Sequence, residues 1–198
     1  MRSLVLSTVL VALGSAVHAA GPVPRPAPAM DVVEAATGKH IVLSNLKGKV
    51  VVVQFLLTTC PHCQAFSQVL TKLQAEYGPK GFQAIGVAVN EATPEMAKAY
   101  AAQYAKGFPV GALPESFLLP FMGISVMDRF GLPQIAVIDR KGMIREQSLS
   151  DIAAKQPLQD EAHLRALVEK LLAENVGGPS KSGASVKQQA PATVAVAK

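Results

Sequence analysis

Cysteine, tryptophan and charge are all scarce in this chain of 198 residues, which has two cysteines, no tryptophan and 17% charged residues. Zinc normally takes four ligands, and here Cys60 and Cys63 have only His62 beside them and no second cysteine pair. Covalent haem attachment needs CxxCH, and Gln64 fills the position where the histidine would stand. A lipoprotein anchor is excluded because neither cysteine lies at a leader-cleavage site. There is no internal repeat, and there is no basic face. The formal charge of +5 falls to +1 once Arg2, near the start, and Lys181, Lys187 and Lys198, near the end, are set aside. A nucleic-acid partner is therefore not expected.

The chain does have enough apolar residues for one core, at 49% of its length. Met1 and Arg2 precede the apolar run LVLSTVLVALGSAV, which closes on Val17, and His18 and Ala19 follow. This is the pattern of a signal peptide over residues 1–19, cleaved after Ala19. Gly14 interrupts the run, which falls short of the roughly 20 residues of a spanning helix, so an uncleaved anchor is the weaker alternative. A cleaved leader implies a periplasmic or secreted protein. Residues 21–30, GPVPRPAPAM, hold four prolines, so 20–29 reads as an extended, solvated linker. Residues 177–198 are rich in Gly, Ser, Ala and Pro and read as a disordered basic tail. The folded body is expected over 30–176.

Within that body, KVVVVQFLL (49–57) has the nearly continuous apolar pattern of a central strand covered on both faces. The CPHC motif follows, and then Phe66, Val69, Leu70, Leu73 and Tyr77 recur at helical spacing. FQAIGVAV (82–89) predicts a second buried strand. Thr93 as N-cap, Pro94 at the first helical position and Glu95 open a helix through Met96, Tyr100 and Tyr104, which ends before Gly107 and Pro109. This βαβα order predicts an α/β fold containing a parallel strand pair. Residues 135–138 and 143–147 form a hairpin around Asp139, Arg140, Lys141 and Gly142. A last amphipathic helix carries Leu164, Leu167, Val168, Leu171 and Leu172, with Gly177 beyond its end.

A CxxC between a buried strand and a helix start places its first sulfur where helix amides and the macrodipole stabilise negative charge. Cys60 is thus the expected nucleophile. Cys63, one turn on, is placed to resolve a mixed disulfide and so to form a Cys60–Cys63 disulfide. A purely structural bridge is a competing reading, although so short a loop constrains the unfolded chain little. Cu(I) binding by the two soft thiolates with His62, His40 or His163 is another. His40 follows a Thr-Gly-Lys turn and His163 falls on a helix face, so surface roles suit both. A redoxin-type peroxidase would show P-x-x-x-T-x-x-C, but Val53 and Leu57 occupy the proline and threonine positions. Dithiol exchange needs no cofactor and no metal.

The runs HIVLSNLKGKVVVVQFLLTTCPHC and FGLPQIAVIDRKGMI resemble the opening and closing segments of the TlpA/ResA-like branch of the thioredoxin-fold proteins, and the resemblance covers about residues 30–175. It implies a thioredoxin-like α/β fold, a central mixed β-sheet flanked by helices, and thiol-disulfide oxidoreductase activity. It makes Cys60 the attacking thiol, Cys63 the resolving thiol and Pro133 a cis-proline lying against them. Leu132 would offer backbone hydrogen bonds to the bound substrate. The implied partners are exported proteins with cysteines and a membrane-bound electron donor or acceptor, and a monomer is expected.

The chain departs from the family pattern at several positions. Thr59 stands where a bulky aromatic residue precedes the first cysteine, and Gln54 stands where thioredoxin proper carries a buried acid. The spacing of residues 115–130 also differs from the usual approach to the proline. Pro61 and His62 are the pair found between the cysteines of DsbA-like oxidases. An imidazole that stabilises the reduced thiolate raises the potential within the span of about −270 to −120 mV of characterised dithiol proteins. The TlpA/ResA-like frame, by contrast, implies a reductase.

Overall fold

Four consecutive valines, Val50 to Val53, are stiff at χ1 and suit a pleated, buried surface. In the computed structural model, which describes residues 21–174, they begin the central strand. The expected leader, residues 1–19, and the tail, 177–198, lie outside the described residues. In chain order the elements are β1 (Arg25–Pro26), β2 (Asp31–Val33), β3 (His40–Val42), β4 (Val50–Leu56), α1 (Pro61–Tyr77), β5 (Phe82–Ala88), α2 (Pro94–Tyr104), β6 (Val110–Ala112), α3 (Glu115–Met122), β7 (Gln134–Ile138), β8 (Met143–Gln147) and α4 (Glu161–Ala173). Six strands form one mixed sheet in the order β1-β8-β7-β4-β5-β6, while β2 and β3 pair separately. β4 runs parallel to β5 and antiparallel to β7, with Val53 opposite both Ile85 and Ala136.

Every residue of β4 is buried, because helices cover both faces of the sheet. Side chains alternate across a strand. Val50, Val52 and Leu56 therefore pack on one side with Phe66, Leu70 and Leu73 of α1 and Leu164, Val168 and Leu171 of α4. Val51, Val53 and Phe55 pack on the other with Leu118, Phe121 and Met122 of α3. The Phe55 and Phe121 rings meet edge to face with centroids 5.2 Å apart. Burying a side chain of this size contributes about 1.5–3 kcal/mol. The β7–β8 hairpin forms as its sequence predicts, with Gly142 at φ 84° supplying the left-handed turn residue.

Three features differ from the sequence reading. The segment expected as a solvated linker is extended but docked: Arg25 and Pro26 pair with Ile144 and Met143 at the edge of the sheet. Arg25 also donates to the carbonyl of Phe121 at 2.7 Å and to Gln147 Oε1 at 2.8 Å. Prolines suit this place because an edge strand tolerates a missing N–H. Secondly, residues 115–130 contain α3, which the sequence hides because Pro120 interrupts it and its apolar residues are contiguous rather than periodic. Gly123, at φ 67°, ends the helix against the backbone of Gly21, leaving no room for a side chain. Thirdly, Met96 is exposed, and the buried stripe of α2 is Ala97 and Tyr100. No helix among the described residues is long and apolar enough to cross a membrane.

Candidate active site

The dithiol lies where β4 leaves the core and α1 begins. Cys60 is the N-cap of α1, with extended backbone at φ −81° and ψ 118°, and Pro61 fills the first helical turn, where a missing N–H does no harm. The Cys60 carbonyl accepts from the Gln64 amide at 3.0 Å, and the Cys60 amide donates to Leu57 at 3.2 Å. The preceding turn is held from two sides. Asn90 donates to Thr58 Oγ1 at 3.0 Å and accepts from the Thr58 amide at 3.3 Å, while the Gln64 side chain donates to the Thr58 carbonyl at 3.1 Å. Thr59 is exposed, so the surface just before Cys60 carries a small polar residue.

The two sulfurs occupy different environments, and both are free thiols. Cys60 is partly exposed, and its Sγ lies 3.9 Å from the carbonyl oxygen of Leu132. The Leu132–Pro133 peptide bond is cis, and Pro133 is buried. Cys63 is fully buried. Burial pushes its thiol up to about 12, against the lowering effect of the backbone hydrogen bond at Leu57, and the neighbouring Cys60 adds to the rise. Cys63 is therefore a neutral thiol at neutral pH, out of reach of a bulky reagent. Cys60 meets solvent.

A cleft of about 670 Å³ opens beside Cys60, lined by Leu57, Val89, Asn90, Leu118, Phe130 and Leu132 among others. A second cleft, of about 400 Å³, lies beside His62 and is bounded by Leu132, Ile152 and Gln159. Leu132 lines both. His62 is exposed at the start of α1. The other two histidines among the described residues are engaged elsewhere: His40 with Asp31 at 2.9 Å and His163 with Glu146 at 2.6 Å. Among the described residues no three His, Cys, Asp or Glu side chains form a metal-sized cluster.

Beneath the dithiol is a buried polar chain that the sequence does not announce. Gln54 projects from β4 toward α1 and donates from Nε2 to the carbonyl of Cys63 at 2.9 Å. Its Oε1 accepts from Ser67 Oγ at 2.7 Å, and Ser67 Oγ lies 2.8 Å from Tyr100 Oη. Ser67 has a single hydroxyl proton and gives it to Gln54, so Tyr100 must be the donor to Ser67. Burial holds the Tyr100 hydroxyl well above its ordinary value, so it stays protonated to play that part. Sequence signals for this chain exist in hindsight: Gln54 interrupts an otherwise apolar strand, and Ser67 sits beside Phe66 on the buried side of α1.

A mixed sheet with a dithiol at the start of its first long helix, facing a cis-proline loop, defines the thioredoxin-like fold. The chain belongs to the Redoxin family, whose model matches residues 22–164. It is 32% identical over 117 residues to the thiol-disulfide oxidoreductase ResA of Halalkalibacterium halodurans, an alignment covering 57% of this chain and 61% of that one. It is 30% identical over 119 residues to ResA of Bacillus thuringiensis, covering 60% of this chain and 65% of that one. The chain thus spans rather less than two thirds of the length of these curated relatives. Among solved structures it is similar to a thiol:disulfide interchange protein of the thioredoxin family from Chlorobium tepidum TLS, with 27% identity and a TM-score of 0.61, over 77% of this chain and 99% of that one.

Proposed function

We propose that this protein is an exported thiol-disulfide oxidoreductase that exchanges its Cys60/Cys63 dithiol with cysteines of other exported proteins. The observation that carries the reading is the asymmetry of the two sulfurs: Cys60 opens onto a cleft, and Cys63 is a buried neutral thiol one helical turn behind it. In the reducing direction, the Cys60 thiolate attacks one sulfur of a partner disulfide. The Cys60–partner bond forms as the partner's own S–S bond breaks, and the departing thiolate takes up a proton. Cys63 then gives up its proton and attacks the Cys60 sulfur. The Cys60–Cys63 disulfide forms, and the partner's second sulfur leaves as a thiolate. Two electrons pass from the dithiol to the partner, and the oxidising direction is the same sequence reversed. No cofactor takes part.

Leu132 and Pro133, beside Cys60, are the proposed docking residues for the partner's backbone. Pro61 and His62 are proposed to tune the equilibrium, with His62 stabilising the thiolate state. The apolar run before Ala19 supports a cleaved leader and a periplasmic or secreted location. A membrane-bound protein would then return the dithiol to its working state, and the chain would act as a monomer.

The test is trapping. A Cys63→Ala variant cannot resolve its adducts, so it is expected to accumulate mixed disulfides through Cys60, released by dithiothreitol and absent from a Cys60→Ala variant. A folded Cys63→Ala protein that yields no such adducts with periplasmic or secreted proteins would overturn the reading.

A further inference from the structure

The sequence predicts no basic face, since the body carries only +1, but folding sorts that charge. The strand registers place Val50, Phe82 and Ile138 together at the end of the sheet opposite the dithiol. Three turns meet there: residues 47–49 before β4, 78–81 before β5 and 139–142 between β7 and β8. They are tied to one another, with the Gly48 amide donating to the Arg140 carbonyl at 2.8 Å and the Val50 amide to the Gly81 carbonyl at 2.9 Å. The Arg140 side chain donates to the Leu172 carbonyl at 2.9 Å and to the Lys80 carbonyl at 3.4 Å. On these turns stand Lys47, Lys49, Lys80 and Lys141, all exposed.

The carboxylates nearby are already committed. Asp139 accepts from the amides of Lys141 and Met143 at 2.9 and 3.0 Å and pairs with Arg145 at 3.1 Å. Glu174 pairs with Arg145 at 2.7 Å, Glu76 pairs with Arg165, and Glu169 accepts from the Tyr77 hydroxyl. Among the described residues none of the four lysines has a carboxylate partner. The balance is reversed around the two clefts at the dithiol end, where Glu91, Glu115, Asp128 and Asp151 outnumber Arg129 and Lys155. The molecule therefore has a basic pole and an acidic one. The sequence adds to the first: the described residues end at Glu174, beside Arg145, and the chain beyond contains Lys181, Lys187 and Lys198 and no acid.

We propose that the basic pole is a docking surface for an anionic phospholipid bilayer, which holds the protein with its dithiol turned away from the lipid. Lysine is a hydrated point charge on a flexible stem, and four of them on separate turn tips make a diffuse positive field. Such a field suits mobile lipid phosphates, each lysine near the surface contributing about fivefold to the partition. The fixed carboxylates of a protein partner are matched better by arginine forks, and the arginine on these turns is directed at backbone carbonyls. The same surface repels the acidic pole, which sets the orientation. The inference does not depend on the thiol chemistry.

Sedimentation with vesicles at low salt tests it. The purified protein is expected to partition at least about tenfold more strongly onto phosphatidylcholine vesicles containing about 30% phosphatidylglycerol than onto phosphatidylcholine alone, and to be released at about 1 M salt. Lys47→Gln, Lys49→Gln, Lys80→Gln and Lys141→Gln together should lower the partition at least about tenfold, without changing the rate at which iodoacetamide labels Cys60 in solution. The charge-matched Lys39→Gln, Lys98→Gln, Lys106→Gln, Lys155→Gln variant should stay within about threefold of the wild type. On the vesicles, Cys60 should be labelled as fast as in solution. Equal partition onto both vesicles, binding that survives the first quadruple substitution, equal loss in the second variant, protection of Cys60 by the lipid, or binding to polyglutamate in place of the anionic vesicles would overturn the proposal.

Discussion

Gln54 and Cys63 are joined by a buried hydrogen bond of 2.9 Å, from the amide of a β4 side chain to a backbone carbonyl in the first turn of α1. Through it the central strand fixes where Cys63 sits. A carboxylate at position 54 could not donate this bond while ionised, whereas the neutral amide donates to Cys63 and accepts from Ser67 at once.

Replacing Gln54 by leucine keeps the volume and removes both bonds, while Ser67 keeps its bond to Tyr100. Each buried hydrogen bond lost costs about 0.5–1.5 kcal/mol. A urea midpoint lowered in that proportion is expected. Tyr100→Phe, which removes only the terminal donor, should cost less, about 0.5–1.5 kcal/mol. A Gln54→Leu protein as stable as the wild type would contradict the role given to the chain.

The raised Cys63 thiol makes stability depend on pH in the alkaline range. The unfolded thiol ionises near its ordinary value of 9.0, while the folded one holds its proton up to about 12. The contribution is fully present below pH 9 and is lost as pH rises through that window. The stability advantage of the reduced wild type over Cys63→Ala should therefore shrink between pH 9 and pH 10.5 in urea titrations. Parallel curves would contradict the assignment. Iodoacetamide should label Cys60 first and Cys63 only on unfolding, as mass spectrometry of the digested protein can follow.

Arg25 ties the N-terminal segment to both α3 and β8, and burial lowers the basicity of its guanidinium. Arg25→Ala leaves the Gln147 side chain and the Phe121 carbonyl short of a donor, for an expected loss of about 1–3 kcal/mol. A protein beginning at Met30 should lose at least as much, since β1 goes with it. Unchanged thermal midpoints would show that the segment is the solvated linker its prolines suggest.

The tuning role proposed for His62 would bear on the direction of exchange. If the imidazole stabilises the thiolate state, His62→Ala lowers the reduction potential, and each tenfold change in the exchange equilibrium appears as about 30 mV. A potential near that of thioredoxin, about −270 mV, and unmoved by the substitution would contradict the tuning role.

Much of this architecture could be read from the chain itself. The valine run, the CPHC turn, the parallel β4–β5 pair and the β7–β8 hairpin each carry a strong local signal: continuous β-branched residues, strand-to-helix punctuation, a Thr93–Pro94 cap, and a glycine where the turn needs one. The pieces that escaped lack such signals. Helix α3 contains Pro120 and has no periodic pattern, and β1 is two residues long with a proline as one of them. The polar chain below Cys63 depends on bringing β4, α1 and α2 together, which no local pattern encodes. The placement of Cys60 and Cys63 at the strand-to-helix turn was legible because their spacing and its punctuation are local.

The central claim is that Cys60 and Cys63 form one reversible two-electron couple, and equilibration of the purified protein against defined ratios of reduced and oxidised glutathione tests it most directly. Quenching with a mass-shifting thiol reagent should give a single transition between dithiol and disulfide. Its midpoint should lie within the range of about −270 to −120 mV, and the transition should vanish in Cys63→Ala. Free thiols at every ratio, or stepwise single-thiol glutathionylation with no intramolecular disulfide, would contradict it.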